Sequence, residues 1–470
     1  MNSAAIPTWR LICHSVNLLA VATSLLSLSR RQLLPFQPFR VGQLEGNQGY
    51  LHGLFRCLDS LGWADRRGAE ASPCLEVELT GEGRRLLADL SGLELVNDWL
   101  EQAGHFLRGD FRLWSPPPAD LGLVSEVLQA ARLAPLVLFS LLQPDQQLPP
   151  GPRQLLHAHL WQDAGGEWTP RGRAGLALGA VFHYPFAYLQ TLLQADALLF
   201  GDAQSLRRRS GGVEEHVDRE RDILFSGQVF TGSVASVFWE LFLPIFESHS
   251  PPRAVVDLGC GDGLMLAELG RRLDPSVLLV GVEYNQVARQ TAARTLAAFP
   301  HHRVIEGDIG NPGELVARLR EMGVAHQEVV FVTKSVIHNR PYRPARQPSG
   351  RAALGRTAVA DGQGAPIDNA DLEASLVEFF ADWKRFLGGH GLLAVEAHTV
   401  PCPTDREHFG RTLSPCLDLT HCYSNQLLVE AAVYRDCARR AGLTSEHPRE
   451  LGAAAFGHAH MTVDHWKVAP

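Results

Sequence analysis

The chain predicts an α/β fold in its second half, an open and mainly parallel sheet with helices on its faces, behind a mainly helical N-terminal half. Three observations carry this. The stretch Val255-Val256-Asp257-Leu258-Gly259-Cys260-Gly261-Asp262-Gly263 runs from β-branched apolar residues through an acid into three alternating glycines, and a helical pattern follows from Leu264 to Leu269. It reads as a buried strand, a tight turn and the start of a helix. Further apolar runs at Val277 to Val282, Val304-Ile305, Val329 to Thr333 and Leu392 to Val395 alternate with helical text, the pattern of parallel βαβ units. Before about residue 245 the text is instead helical and broken by prolines.

With 470 residues the chain exceeds one ordinary core, so more than one domain is expected. The expected division is 1–95 with a winged-helix-like unit, 96–245 as a helical lid or linker region, and 246–470 as the α/β domain. A composition of 45% hydrophobic and 20% charged residues is globular, and a net charge of -8 argues against a nucleic-acid-coating protein. The eight cysteines show no C-x-x-C spacing, which disfavours a zinc ribbon or a disulfide framework and fits reduced thiols in the cytoplasm.

Taken in order, Leu11 to Leu26 is apolar in bulk, but His14, Ser15 and Asn17 interrupt it and no small-residue cleavage site follows clearly. A packed helix over 11–35 is expected rather than a signal peptide. With no uninterrupted apolar run of about 18 residues, no membrane span is expected. Gly49 to Gly62 carries a stripe of Leu51, Leu54, Phe55, Leu58 and Leu61, a helix. Trp63, the turn Arg66-Arg67-Gly68, the strand Leu75 to Leu79 and Thr80-Gly81-Glu82-Gly83 with Arg84 to Leu87 complete the winged-helix-like pattern. Its candidate recognition segment, Tyr50 to Ser60, holds Arg56 as its single strong cation, whereas phosphate contacts need several, so no nucleic-acid partner is expected.

Proline-rich breaks at Ser115 to Pro118 and Leu148 to Pro152 mark loops or boundaries, and Arg207-Arg208-Arg209 before Gly211-Gly212 reads as a solvated loop. The segment Phe225 to Gly232 with Phe238-Trp239-Glu240-Leu241-Phe242 reads equally as a cover over a ligand or as packing under the sheet.

The glycine loop is G-x-G-x-G with an acid two residues before the first glycine, not the dinucleotide G-x-G-x-x-G. It resembles motif I of the class I S-adenosylmethionine (SAM) methyltransferases, which implies a Rossmann-like seven-stranded core and SAM as cofactor. Asp257, Gly259, Gly261 and Gly263 form the expected cradle. Glu283, ending the second strand, can accept hydrogen bonds from both ribose hydroxyls, and Asp308, after the third, is placed for the adenine amino group. In such enzymes an N-terminal unit like this one often supports dimerisation and closes the active site. The sulfonium methyl is already activated, so catalysis consists of aligning the acceptor and removing its proton.

Histidines follow the fourth and fifth strands: His338 and His398. Beyond them lie Thr420-His421-Cys422-Tyr423-Ser424-Asn425-Gln426 and the pair His458 and His460, read as an H-x-H on a late edge strand. The runs His338-Asn339-Arg340-Pro341-Tyr342, Ile367 to Glu378 and Thr420 to Gln426 resemble the polyketide loading-module methyltransferases of the apratoxin type. That resemblance implies methylation of the α-carbon of a malonyl-type acyl group on an acyl carrier protein, with a mononuclear iron or manganese beside SAM. It makes His398 and Gln426, placed at the opening of a helix, the metal ligands, and His421 or His338 the base or the group that orients the acyl chain. Two other readings stay open: metal-independent O- or N-methylation of a small molecule, with His338, His398 or His421 as base, and a SAM-binding scaffold without turnover. Arg343, Arg346 and Arg351, in the insert from Arg343 to Asp368, face either a carrier protein and its phosphopantetheine or solvent alone.

Overall fold

The computed structural model describes residues 5–32, 37–116, 122, 124–159, 161–209, 217–347 and 350–469. The chain forms two compact units rather than three consecutive segments. The first takes 1–225 together with 358–366 and 401–424, and the second takes 226–357, 367–400 and 425–470. Two late excursions of the chain return to the first unit, which a division by composition along the sequence does not detect.

In the first unit the helix Ala5–Arg31 is the organising element. Ile12, Val16, Leu19 and Leu25 are buried on it, and Arg31, in its last turn, clamps Asp196 through Nε and Nη2, both at 2.8 Å. The last residues of the expected first helix, 33–35, lie outside the described residues. By length and composition alone, three helical stretches could cross a membrane, Thr8–Arg31, Val124–Leu142 and Arg219–Phe246, against the expectation from uninterrupted runs. In the first two, 89% and 78% of the apolar window is buried inside the protein, and in the third 33%.

A small antiparallel sheet, β1 (Phe39–Arg40), β2 (Ala64–Arg67) and β3 (Glu76–Leu79), has the order β1-β3-β2 and is accompanied by the helices Gln48–Ser60 and Gly81–Ala88. Thr80 caps the latter, its hydroxyl accepting from Gly83 N at 3.2 Å. Arg56, the cation of the candidate recognition segment, is buried against Asp418 with Nε 3.0 Å from the carboxylate, so it does not face a phosphate. The backbone of Arg207 to Arg209 closes the helix Ala203–Arg209 instead of forming a loop, and Gly211-Gly212 lies outside the described residues.

The second unit holds the large sheet. Its strands are β4 (Ala254–Leu258), β5 (Leu278–Val282), β6 (His302–Ile305), β7 (Val329–Lys334), β8 (Leu392–Ala397), β9 (Leu443–Ser445), β10 (Arg449–Leu451) and β11 (Met461–Val468). The order is β10-β11-β8-β7-β4-β5-β6, parallel from β6 to β8, with β11 antiparallel to β8. Among the described residues, eight strands fill the seven positions expected of this core. Both β9 and β10 pair with the same edge of β11, β9 on Trp466 to Val468 and β10 on Met461 to Val463, so two short strands share one position.

Val255, Val330, Val332, Leu393 and Val395 bury one face of this sheet with Phe230, Phe238 and Phe242. The aromatic segment expected as cover or packing thus packs under the sheet from Phe230 onward, after a π-helical turn at Phe230–Val234. His458 and His460 precede β11 instead of lying on a strand, and the Phe456 and His460 rings meet edge to face at 5.0 Å.

Candidate active site

The sheet order reverses between β4 and β7, where an open α/β sheet has its ligand crevice at the carboxyl ends of the strands. The register aligns those ends: Leu258 sits opposite Val282 and Thr333, and Val282 opposite Ile305. On one side of the reversal stands the glycine turn. Gly259 has φ +76°, and a Cβ there would lie 2.6 Å from Val336. Gly261 has φ +54°, and its missing Cβ faces open space with nothing within 4 Å. Gly263, at φ +77°, starts the helix Leu264–Gly270.

Two acids organise this turn. Glu283 accepts from Gly261 N at 3.1 Å with one oxygen and from Asn285 N at 2.9 Å with the other. Asp257 is buried, and its Oδ1 has no hydrogen-bond partner among the described residues. Burial pushes its carboxyl up to about 8, against the pull of the Lys334 ammonium. A buried acid with an idle oxygen beneath an open glycine turn suits the cationic amino group of an amino-acid-bearing cofactor. Asp308 follows β6 and is partly exposed. It accepts from Gly310 N at 2.8 Å and from Arg343 Nη2 at 3.0 Å. The expected adenine contact is therefore one a ligand would share with Arg343.

On the other side of the reversal lies a small cleft bounded by His338, Arg340, Glu396, His398, Leu427 and Tyr434. Ser335, in the left-handed region at φ +56°, turns the chain off β7 while its N–H donates to Val395 O at 2.8 Å on β8. This brings His338 against Glu396. The imidazole Nδ1 is hydrogen-bonded to Glu396 Oε1, and Ile337 N donates to Oε2 at 3.0 Å. Burial raises the Glu396 carboxyl, but the His338 pairing outweighs it and holds the group below the ordinary glutamate value. An imidazole tied through Nδ1 to a carboxylate keeps its proton there and its lone pair on Nε2, the arrangement of an oriented general base. The expectation named His338 and left Glu396 without a role. An acid at the end of the strand next to a histidine-bearing one was the signal available for it.

The other predicted residues are placed differently. His398 is buried, with Nδ1 3.2 Å from Val429 O and Nε2 2.9 Å from the Thr462 hydroxyl, and burial pushes its imidazole down to about 4. Gln426 does not open a helix. It follows Asn425, at φ +58°, in the link between the helices Ser414–Tyr423 and Ala431–Arg440. His421 belongs to the first unit, where its Nδ1 is 2.6 Å from Leu417 O and 3.0 Å from the Tyr184 hydroxyl. Among the described residues no group of three or more His, Cys, Asp or Glu is placed to hold a metal ion. With Nδ1 on the Val429 carbonyl, a metal on His398 Nε2 would have to displace the Thr462 hydroxyl.

The insert arginines are engaged within the unit. Arg343 bonds Asp308, Asn311 and Gly310, and Arg346 bonds Glu378 and Asp382. Leu354 N and Gly355 N both donate to Glu373, which ties this part of the insert to the second unit.

A family model of the AprA MT2-like domain matches residues 214–456, just over half of the chain. One relative, an uncharacterized 37.1 kDa protein in transposon TN4556 of Streptomyces fradiae, is 26% identical over 180 residues, 38% of this chain and 50% of that protein. The chain thus spans about half the length of the curated relative it matches. Among solved structures, the citrinin polyketide synthase CMeT domain is 12% identical with a TM-score of 0.48, covering 99% of this chain and 90% of that one. The CurJ carbon methyltransferase is 13% identical with a TM-score of 0.39, covering 83% and 94%. Membership rests on the family match: the chain belongs to the AprA MT2-like methyltransferase domain family, and it is a SAM-dependent methyltransferase.

Proposed function

We propose that this member of the AprA MT2-like family methylates the α-carbon of a malonyl-type acyl group carried on an acyl carrier protein, in polyketide or related natural-product assembly. The observation that carries the reading is the buried His338–Glu396 pair at the ends of adjacent strands, beside the sheet reversal that also holds the glycine turn. A carbon next to a thioester carbonyl becomes a nucleophile only after losing a proton, and an imidazole backed by a carboxylate is built to take it.

In this reading His338 Nε2 removes the α-proton and Glu396 stabilises the imidazolium that results. The electron pair of the broken C–H bond forms the new C–C bond to the methyl carbon. SAM supplies that methyl as an electrophile, and the S–CH₃ bond breaks with its electrons remaining on sulfur, giving S-adenosylhomocysteine. Asp257, Glu283 and the glycine turn hold the donor. His398 keeps the floor of the cleft in place through Val429 and Thr462. No step in this reading is assigned to a metal.

The test is incubation of the full chain with SAM and malonyl-loaded carrier protein, followed by intact-mass analysis and fragmentation. One methyl on the acyl α-carbon is the expected product. Methyl transfer only to an oxygen or nitrogen acceptor would replace this reading with O- or N-methylation.

A further inference from the structure

Two buried arginines have a side-chain nitrogen with no hydrogen-bond partner among the described residues: Arg132 has one, its Nε, and Arg340 has two. Arg340 is 3% exposed and lines the same cleft as His338 and Glu396. Its Nη1 donates to Ile337 O at 3.0 Å, while its Nε and Nη2 have no hydrogen-bond partner among the described residues. Its guanidinium lies 5.8 Å from the Phe379 ring centroid, an apolar neighbour that offers no acceptor. Glu396, the one carboxylate among the cleft residues, is committed to His338 and Ile337 N.

Burial without full satisfaction is costly for a guanidinium, and it pushes this one down to about 10. The two idle nitrogens are also the pair that forms the side-on fork. Elsewhere in this protein the same fork holds carboxylates: Arg31 takes Asp196 through Nε and Nη2, each at 2.8 Å, and Arg112 takes Asp110 at 2.8 and 2.7 Å. An unused fork in a cleft with a base calls for a planar anion with two oxygens. The cleft is small, which favours a compact terminal carboxylate over a bulkier phosphate or ring once a ligand opens it.

We infer that Arg340 is the carboxylate anchor of the acceptor site and selects acyl acceptors that carry a free carboxylate over neutral β-ketoacyl ones. This rests on the proposed acyl acceptor and deepens it. Removal of the α-proton leaves negative charge on the acyl group while His338 and Glu396 become a neutralised ion pair. Arg340 then supplies the positive charge that the enolate and its carboxylate need.

The test separates binding from turnover. The full chain loaded with S-adenosylhomocysteine is titrated calorimetrically with malonyl-pantetheine and with acetoacetyl-pantetheine, neither of which carries a phosphate. Wild type, Arg340→Gln and Arg340→Lys are compared, with S-adenosylhomocysteine affinity within twofold of wild type as the control for folding. The malonyl thioester is expected to bind wild type at least about tenfold tighter than the acetoacetyl one, since a charge-assisted bidentate contact distinguishes them. Arg340→Gln loses that preference, and Arg340→Lys, a point charge without the fork, keeps part of it. Equal wild-type affinities, no malonyl binding, or an unchanged preference in Arg340→Gln overturns the anchor. Methyl transfer is followed in parallel. Arg340-dependent malonyl binding without methylation refutes the proposed reaction and leaves the anchor standing, and methylation with Arg340-independent binding does the reverse.

Discussion

The two halves of the sheet's carboxyl edge are built in opposite ways. On the β4–β6 side the cradle comes from one continuous stretch, Asp257 to Gly263, with single acids ending the next two strands, and backbone N–H groups hold Glu283 in position. On the β7–β8 side the groups come from segments far apart in sequence, and side chains hold one another: His338 on Glu396, His398 on Thr462. The glycine-turn side, the donor side in the proposed function, is specified by local backbone conformation. The histidine side, the acceptor side in that proposal, exists only once β7 and β8 are in register. Substitutions should therefore act through donor affinity on one side and through turnover on the other.

The sharpest way to break this contrast is His338→Ala. Removing an oriented general base should lower kcat by roughly 10²- to 10⁴-fold with SAM affinity unchanged. Because His338 and Glu396 act as a unit, Glu396→Gln added to His338→Ala should cost little more than His338→Ala alone. Additive losses in steady-state kinetics would show that the two residues work separately.

Next in size is Asp257→Asn. The folded-state value of about 8 lies above that of an unfolded aspartate, so the carboxylate costs stability as pH rises from about 4 and the cost is complete above about 8. The Asn variant without SAM should therefore melt higher than wild type at pH 8 and approach it at pH 5. SAM binding carries the opposite sign. A cationic amino group docked on Asp257 favours the ionised form, so affinity should rise with pH through 8 with proton release, and Asp257→Asn should flatten the profile. Calorimetry in buffers of different ionisation enthalpy reads both effects. A flat wild-type profile would remove Asp257 from the donor contact.

Legibility in the sequence follows the same division. The strand, glycine turn and helix at Val255 to Leu269 are local, so their residue types and spacing suffice, and positive φ at Gly259, Gly261 and Gly263 is what that spacing demands. Glu396 was visible as an acid at a strand end, but its tie to His338 spans 58 residues and depends on Ser335 turning left-handed, an unusual conformation for a non-glycine residue. Gln426 was misplaced because Asn425 also turns left-handed and delays the next helix to Ala431. Arg340 was read as part of a motif. Only burial shows that two of its nitrogens have no hydrogen-bond partner among the described residues, and composition carries no trace of that. The two excursions into the first unit, 358–366 and 401–424, leave no periodic signature either.

A smaller effect is expected at the rim. Arg343 is about half exposed and bonded to the partly exposed Asp308, so Arg343→Ala should change stability by less than about 1 kcal/mol. It should, however, release Asp308 for the donor, and SAM affinity should stay level or improve slightly. A large loss of affinity would mean that Arg343, not Asp308, makes the contact with the ligand.

The smallest effect tests the acceptor side from the opposite direction. If His398 organises the cleft through Val429 and Thr462, chelation followed by metal-free assay should change kcat by less than about twofold, since no step was assigned to a metal. Thr462→Val should then matter more than chelation, because it leaves one nitrogen of a buried, neutral imidazole without a partner, costing about 1–3 kcal/mol of stability. Loss of activity on chelation with recovery on adding iron or manganese would reverse the assignment. It would mean that Thr462 gives up His398 in the working enzyme, and that the acceptor side is completed by its ligands rather than by its own side chains.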